Sequence, residues 1–96
     1  MKISELKDGS TRVNVAGKVI EKEAVREITT KFGRTNVANS VLEDDSGTIV
    51  LVLWGDDADK VNEGDTVKIE NGYIKEWNGA IQLNVGKYGK LVVGQD

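Results

Sequence analysis

Three aromatic residues, Trp54, Tyr73 and Trp77, have the type and spacing to stack flat ligands on the surface of a β-sheet. Two of them precede Asn78-Gly79, a dipeptide that strongly favours a two-residue hairpin turn. Every second side chain of a strand lies on the same face, so Tyr73, Lys75 and Trp77 share one face. Exposed rings along neighbouring strands suit ligands with flat faces, and nucleobases are the obvious class.

The strand after the turn supplies polar side chains opposite these rings. Gln82 is expected to lie across from Lys75, and Asn84 across from Tyr73, while Leu83 points to the other face. The amides of Gln82 and Asn84 can meet the edges of bound bases. They are equally well explained as solvated residues of a strand.

Trp54 is expected to reach the same surface from another strand. In the apolar run TIVLVLWG, Leu51 and Leu53 are predicted to face the core, which turns Val52 and Trp54 to the opposite face. A tryptophan at the end of a strand is often a lid over the edge of the core, and that alternative stays open for Trp54.

The common face of the rings requires a change of alternation within TVKIENGYIKEW. Val67 and Ile69 are the apolar residues at its start, and strict alternation would place them on the face of Tyr73. A bulge at Asn71-Gly72 would shift the pattern by one residue, because glycine tolerates the positive φ that bulges often need. Without this bulge, the three rings do not share a surface.

Basic residues near this surface are candidate phosphate contacts. Lys75 lies between the two hairpin rings, Lys18 is predicted on the outer face of the first strand, and Lys31 and Arg34 fall in the connection that follows it. Arg34 is the strongest candidate, because its planar guanidinium can bind a phosphate and stack on a base. For Arg26 and Lys31, a solvated surface charge is the favoured interpretation.

The composition excludes most catalytic and metal chemistry. The 96 residues include no cysteine and no histidine, which removes disulfides, thiolate ligands, the usual zinc ligand and the usual general base. The acidic stretches DDAD and EDD fall where turns and a helix start are needed, and they do not match a calcium-loop spacing. We therefore expect no enzyme, no catalytic residue, no cofactor and no metal site.

The sequence also has no apolar run of about 18 residues and no secretory leader, so we expect an intracellular protein without a membrane partner.

The charge is distributed unevenly along the chain. Residues 43–65 contain eight acids and one base, whereas the rest of the chain has a net charge of +4 within a total of -3. Exposed charges more than about 10 Å apart are largely screened at physiological salt, so one end can be acidic while another surface accepts an anion. The net acidity therefore does not exclude nucleic acid.

The apolar pattern predicts an all-β domain of five strands with a short helical segment between the third and fourth. The predicted strands are 11–25, 35–44, 48–55, 66–77 and 80–88, and a long loop with its turn at residues 31–34 is expected between the first two. Ser4 and Asp56 are predicted to cap two short helical turns, which Gly9 and Gly64 end. Gly17, in the middle of the first strand, indicates a bend or a close approach of two backbones.

This order of elements is typical of an OB-fold, a small, partly open, five-stranded Greek-key barrel. An SH3-like barrel is the main alternative, and the helical segment counts against it. A length of 96 residues fits one core, so residues 1–96 are predicted to form a single domain.

The run LVLWGDDADKVNEGDTVKIENGYIKEWNGAIQLNVGKYG, with TTKFGRT and LEDDSGTI upstream, resembles archaeal single-stranded DNA-binding proteins and the OB domains of archaeal replication protein A. The resemblance covers nearly the whole chain. It implies an OB barrel that binds single-stranded DNA with little dependence on sequence. It also implies stacking roles for Trp54, Tyr73 and Trp77, with the loop around Lys31 and Arg34 at the border of the DNA groove.

The sequence departs from this family in two respects. Some relatives have an aromatic residue where this chain has Asn84, and relatives often carry basic or glycine-rich tails or further OB domains.

The function expected from this resemblance is sequence-tolerant binding of single-stranded DNA in replication, recombination and repair. The expected location is the cytoplasm, in association with the nucleoid, with other replication or repair proteins as partners. Two alternatives stay open. The same face could bind single-stranded RNA, or the chain could be a protein-interaction domain whose aromatic face binds a peptide or a second copy.

Overall fold

A computed structural model describes residues 2–86 and 89–94, and most of them lie in strands. Strands β1 to β7 are, in chain order, Val13–Lys22, Arg26–Thr30, Gly33–Asp44, Gly47–Trp54, Thr66–Trp77, Ala80–Asn84 and Lys90–Gly94. A 3-10 helix at Ile3–Glu5 precedes them, and a short helix α1, Asp56–Lys60, joins β4 to β5. Neither helix of the described range is long and apolar enough to cross a membrane.

Five of the strands pair in a ring. β3 pairs with β1 and β4, β5 pairs with β1 and β6, all antiparallel, and a parallel pairing of β4 with β6 closes the circle. These are the five predicted strands, and α1 lies between the third and fourth of them as predicted. The last predicted strand included residues 87 and 88, which lie outside the described residues.

Two strands outside the ring were not predicted. Arg26–Thr30 was expected to be a loop, but as β2 it pairs with the start of β3 through a turn at Lys31 and Phe32. Its side chains are half-exposed or exposed, so the segment lacks the apolar pattern of a buried strand. The second is β7, which pairs with the first half of β5.

The core fills the interior of the ring. Ile3 and Leu6, near the 3-10 helix, belong to the core cluster as predicted, and so do Ala58 and Val61 at α1. The largest fully buried side chains are Leu42, Leu51, Leu53, Ile69, Leu83, Val13, Val19, Val61 and Val67. Leu51 and Leu53 thus face inward, as the alternation of TIVLVLWG predicted.

The predicted helix caps were wrong by one or two residues. Lys2 precedes the 3-10 helix, and its backbone N–H donates to the Glu5 carboxylate at 2.7 Å. At α1 the cap position is Gly55, with φ of 60°, and Asp56 is the first helical residue. The positive φ of Gly55 lets the chain turn sharply directly after Trp54, where a β-carbon would be strained.

Gly17 lies where β1 approaches its neighbour β3 closely. A β-carbon added there would clash with the backbone carbonyl of Glu43 and would lie 3.1 Å from Leu42 Cγ. The predicted close approach of two backbones at this glycine is therefore confirmed.

Candidate functional site

A bulge in β5 determines which face its aromatic residues occupy. Val13 and Val15 of β1 pair with Gly72 and Ile69, so β5 has one residue more than β1 across this step. Asn71 adopts a left-handed conformation with φ of 57°. The predicted bulge is confirmed, although Asn71 rather than Gly72 takes the positive φ. Asparagine is among the few residues other than glycine that accept this conformation.

Gly72 contributes to the same region by its small size. A β-carbon at this position would lie 2.9 Å from the backbone oxygen of Asn84 and 3.2 Å from Leu83 Cδ1. Contacts of this length are too short for carbon atoms, so β6 can pack this closely against the bulge only because residue 72 is glycine.

The hairpin of β5 and β6 has the predicted turn and register. Asn78 and Gly79 both have positive φ, 52° and 83°, as a primed hairpin turn requires. The paired residues are Trp77 with Ala80, Lys75 with Gln82, and Tyr73 with Asn84. The turn and the bulge together place Tyr73, Lys75 and Trp77 on the outer face of the closed sheet.

Trp54, Tyr73 and Trp77 line one groove of about 480 Å³ across the outer face. Their exposed fractions are 42%, 38% and 63%, which is high for large rings in a folded chain. The other lining residues are Arg26, Ile28, Val37, Asn39, Val52, Lys75, Gln82 and Asn84. The prediction that the three rings share one surface is confirmed, and Trp54 opens onto the groove rather than only covering the core edge.

Two of the rings are supported by contacts from β6 and the residues after it. The Trp54 indole N–H donates to Asn84 Oδ1 at 3.4 Å, and Asn84 is only 8% exposed. Gly86 lies against Tyr73, because a β-carbon there would be 3.1 Å from Tyr73 Cε1. Asn84, predicted to meet base edges, therefore has its side-chain oxygen engaged by a ring.

One wall of the groove comes from β2 and β3. Arg26 pairs with Val37, which in turn pairs with Trp54, so a single row crosses three strands. Arg26 and Ile28 were not predicted in the site, because β2 was expected to be a loop. Val37 was not predicted there either, although its strand was. The alternation that puts Arg26 and Ile28 on one face of REITT was the available signal of a strand, and such a pattern is weak over five residues.

The charges that line the groove are positive. Arg26 and Lys75 contribute cations, and no carboxylate of the described residues lines the groove. The surface therefore combines ring faces with positive charge, although the whole chain is acidic. This combination suits a ligand that has flat rings and negative charges.

The other predicted basic residues lie apart from the groove. Arg34 is on the opposite face of the β2–β3 hairpin from Arg26, where its guanidinium is 3.6 Å from the Glu27 carboxylate. Lys31 is at the hairpin tip, with its ammonium 5.3 Å from the centre of the Phe32 ring. Lys18 lines a separate small cleft on β1 beside Glu63. The structure thus brings together Lys75 and the three rings but not Lys18 or Arg34.

Residues 6–93 match the profile of a family described as single-stranded DNA binding protein Ssb-like, OB fold. The chain belongs to this Ssb-like family. The predicted OB-fold is therefore confirmed, and the SH3-like alternative is set aside. Since the family and the relatives described next are single-stranded DNA-binding proteins and replication factors, the expectation that the chain is not an enzyme is also confirmed.

The chain is also similar to two relatives and to a solved structure. It is 37% identical over 90 residues to the single-stranded DNA binding protein Ssb of Saccharolobus solfataricus, covering 94% of this chain and 61% of the relative. It is 33% identical over 96 residues to replication factor A of Methanothermobacter thermautotrophicus, covering 96% of this chain and 12% of the relative. The chain thus spans less than two thirds of either relative's length.

One similar structure is the second OB-fold domain of replication protein A from Methanococcus maripaludis, solved by NMR. The TM-score is 0.81 at 26% identity, and the match covers 100% of this chain and 95% of that domain.

Proposed function

We propose that this protein binds single-stranded DNA with little dependence on base sequence, by stacking bases on Trp54, Tyr73 and Trp77. One observation carries the proposal. Three exposed rings line a single groove with two cations, and none of the described residues contributes a carboxylate to it. Membership of the Ssb-like family supports the proposal.

The rings supply most of the binding free energy in this mechanism. Stacking of a base on an aromatic side chain is worth about 1 to 3 kcal/mol, and every base has a face that can stack. Trp54 is oriented by Asn84, and Tyr73 is backed by Gly86, so little side-chain freedom is lost when a base arrives. A site of about 4 to 5 nucleotides corresponds to the lower end for one OB domain.

In this mechanism, the basic side chains of the groove contact the phosphates of the bound strand. Lys75 lies between the hairpin rings, and Arg26 lies on the opposite wall, so a strand in the groove passes both. Gln82 pairs with Lys75 and turns its amide to the groove, where it can meet base edges. Lys31 and Arg34, on the β2–β3 hairpin, contact only a strand that extends beyond the groove.

The cellular role that we propose is in DNA replication, recombination and repair, near the nucleoid in the cytoplasm and with other proteins of these processes as partners. The names of the relatives, Ssb and replication factor A, support this role. In this proposal, residues 1–96 act as one OB domain.

The direct test is a titration of the protein with oligo-dT at two salt concentrations, followed by tryptophan emission. Both tryptophans of the chain line the groove, so stacking should quench most of the emission. Raising the salt should weaken binding, because phosphate contacts release counterions. Unquenched emission at high protein concentration and low salt would contradict the proposal.

Competition experiments separate this function from its alternatives. Oligo-U that displaces oligo-dT at equal concentration would indicate an RNA ligand as good as DNA. Dimerisation that oligo-dT does not compete away would instead indicate that the aromatic face binds protein.

A further inference from the structure

The aromatic groove continues into a second cleft on the same outer face of the closed sheet. This cleft has a volume of about 440 Å³, and it shares Asn39 and Gln82 with the groove. Its floor includes Val41 and Val50, on the strands that also carry the groove. By shape alone, the groove and the cleft form one channel that could hold a longer strand than the three rings cover.

The charge of the cleft differs from that of the groove. Three exposed carboxylates, those of Glu21, Glu23 and Glu63, line it. None of them forms an ion pair with any other residue of the described range. The cleft also contains Lys22, but its ammonium donates to the backbone carbonyl of Ala58 at 2.6 Å and so points toward α1.

One row of paired residues joins the acidic cleft to the groove. Glu21 pairs with Val41, which pairs with Val50, then Gln82 and finally Lys75. Neighbouring strands are about 4.8 Å apart, so three strand spacings, about 14 Å, separate Glu21 from Gln82. This exceeds the screening length of about 8 Å at physiological salt. Glu21 therefore has little effect on the groove. Glu23 lies at the end of the groove, because its backbone N–H donates to the Asn39 carbonyl at 2.9 Å. Both carboxylates act strongly on a phosphate that enters the cleft.

We infer that Glu21, Glu23 and Glu63 end the nucleic-acid site at Asn39 and Gln82. This inference rests on the proposed function and limits its site. The carboxylates repel the backbone of any strand that continues from the rings toward β1. A bound strand therefore leaves the groove on the side of Arg26 and the β2–β3 hairpin. The acidic cleft makes the site short and gives the strand one preferred exit.

The test compares two triple variants that have the same net charge. The first is Glu21→Gln, Glu23→Gln and Glu63→Gln, which neutralises the cleft. The control is Glu5→Gln, Asp45→Asn and Glu70→Gln, whose residues line neither the cleft nor the groove. Each protein is titrated with dT5, dT10 and dT15 at two salt concentrations, with tryptophan emission as the readout.

The cleft variant should bind dT5 within a factor of about two of the control, because the hairpin rings are four strand spacings, about 19 Å, from Glu21 and Glu23 and so beyond the screening length. It should bind dT15 roughly threefold to tenfold more tightly than the control does, as expected for removing several exposed like-charge contacts. Its salt slope for dT15 should be steeper than that of the control, because salt no longer relieves a repulsion between the cleft and the phosphates.

Two outcomes would contradict this inference, and they differ from failure of the proposed function. Equal tightening for dT15 in both triple variants would indicate a general effect of net charge. An unchanged affinity and salt slope for dT15 in the cleft variant would mean that the carboxylates do not limit the strand. If the unmodified protein binds no oligonucleotide of any length, the proposed function itself fails.

Discussion

The indole N–H of Trp54 donates a 3.4 Å hydrogen bond to the side-chain oxygen of Asn84, joining the ends of two neighbouring parallel strands. Trp54 ends β4 and Asn84 ends β6, and thirty residues of sequence separate them. The bond limits rotation of the indole while leaving its ring open to the groove. A ring held in this way loses less conformational freedom when a ligand stacks on it.

Asn84→Leu should weaken oligo-dT binding by about 0.5 to 1.5 kcal/mol, the usual net value of one hydrogen bond. The protein has two tryptophans, so its ¹H–¹⁵N spectrum contains two indole signals. The signal of Trp54 should shift in the variant, and that of Trp77 should stay in place as an internal control. If neither signal moves, the bond is not formed in solution.

Trp77→Ala should weaken oligo-dT binding by about 1 to 3 kcal/mol, because one stacking platform is lost. The melting temperature should change little, since the side chain is 63% exposed beside the hairpin turn. Phe32→Ala is the matched control, because this ring is 90% exposed and does not line the groove. An equal loss of binding in both variants would contradict a specific role of the groove.

Arg26→Gln should reduce the salt slope of oligo-dT binding by about 0.7, the value for one phosphate contact on a single strand. Arg34→Gln removes the same charge from the opposite face of the same hairpin and should leave the slope for a short oligonucleotide unchanged. Titrations at four or more salt concentrations measure both slopes. A larger effect of Arg34→Gln would mean that the strand passes over the other face of the hairpin.

Gly72→Ala should destabilise the fold by about 1 to 3 kcal/mol, because its new methyl group overpacks the contact with β6. The nearest atoms would be the Asn84 backbone oxygen at 2.9 Å and Ile69 Cγ2 at 3.0 Å. Gly94→Ala is the control, since its β-carbon would meet Thr66 at an ordinary 3.5 Å. Urea unfolding measures both, and equal midpoints would show that β6 can move away from the bulge without cost.

Asp44 should make the fold sensitive to acid. The hydroxyl of Ser46 and the backbone N–H groups of Ile3, Ser46 and Gly47 donate to its carboxylate. These hydrogen bonds, that of the Ser46 hydroxyl foremost, lower its pKa from 3.8 to about 2. Because the folded pKa is the lower one, the stabilisation is complete above about pH 4 and is lost as the pH falls toward 2.

Thermal unfolding between pH 6 and pH 2 tests this assignment. Asp44→Asn should melt at a lower temperature than the parent at neutral pH, and the difference should shrink below pH 4, where the parent's carboxylate becomes protonated. If the melting temperatures of the two proteins fell in parallel as the pH decreased, another group would control the loss of stability in acid.

The local features of the aromatic hairpin could be predicted from sequence. Asn78-Gly79 determines the turn, the turn determines the register, and the register places Tyr73 and Trp77 on one face. The bulge at Asn71 could also be located, because the apolar alternation changes phase between Ile69 and Tyr73. Each of these inferences uses residues close together in the chain, where backbone geometry alone limits the possibilities.

Which residues line the groove could not be predicted as well from the sequence. Arg26 and Arg34 belong to one short segment, and only the pairing of β2 with β3 shows that the first lines the groove and the second does not. Asn84, a candidate for contact with base edges, also accepts a hydrogen bond from Trp54, which no local pattern indicated. The acidic cleft likewise forms from Glu21 and Glu63, which are distant in the chain.

The alternation, the turn dipeptide and the amino-acid composition were sufficient to establish an all-β fold, the outward direction of the hairpin rings and the absence of histidine and cysteine chemistry. Which residues lie beside each aromatic side chain and each charged side chain depended on how the five strands close into a circular sheet. That closure joins β1 to β5 and β4 to β6, which are far apart in sequence. Their relative positions follow from packing of the shared core, and no local pattern encodes them.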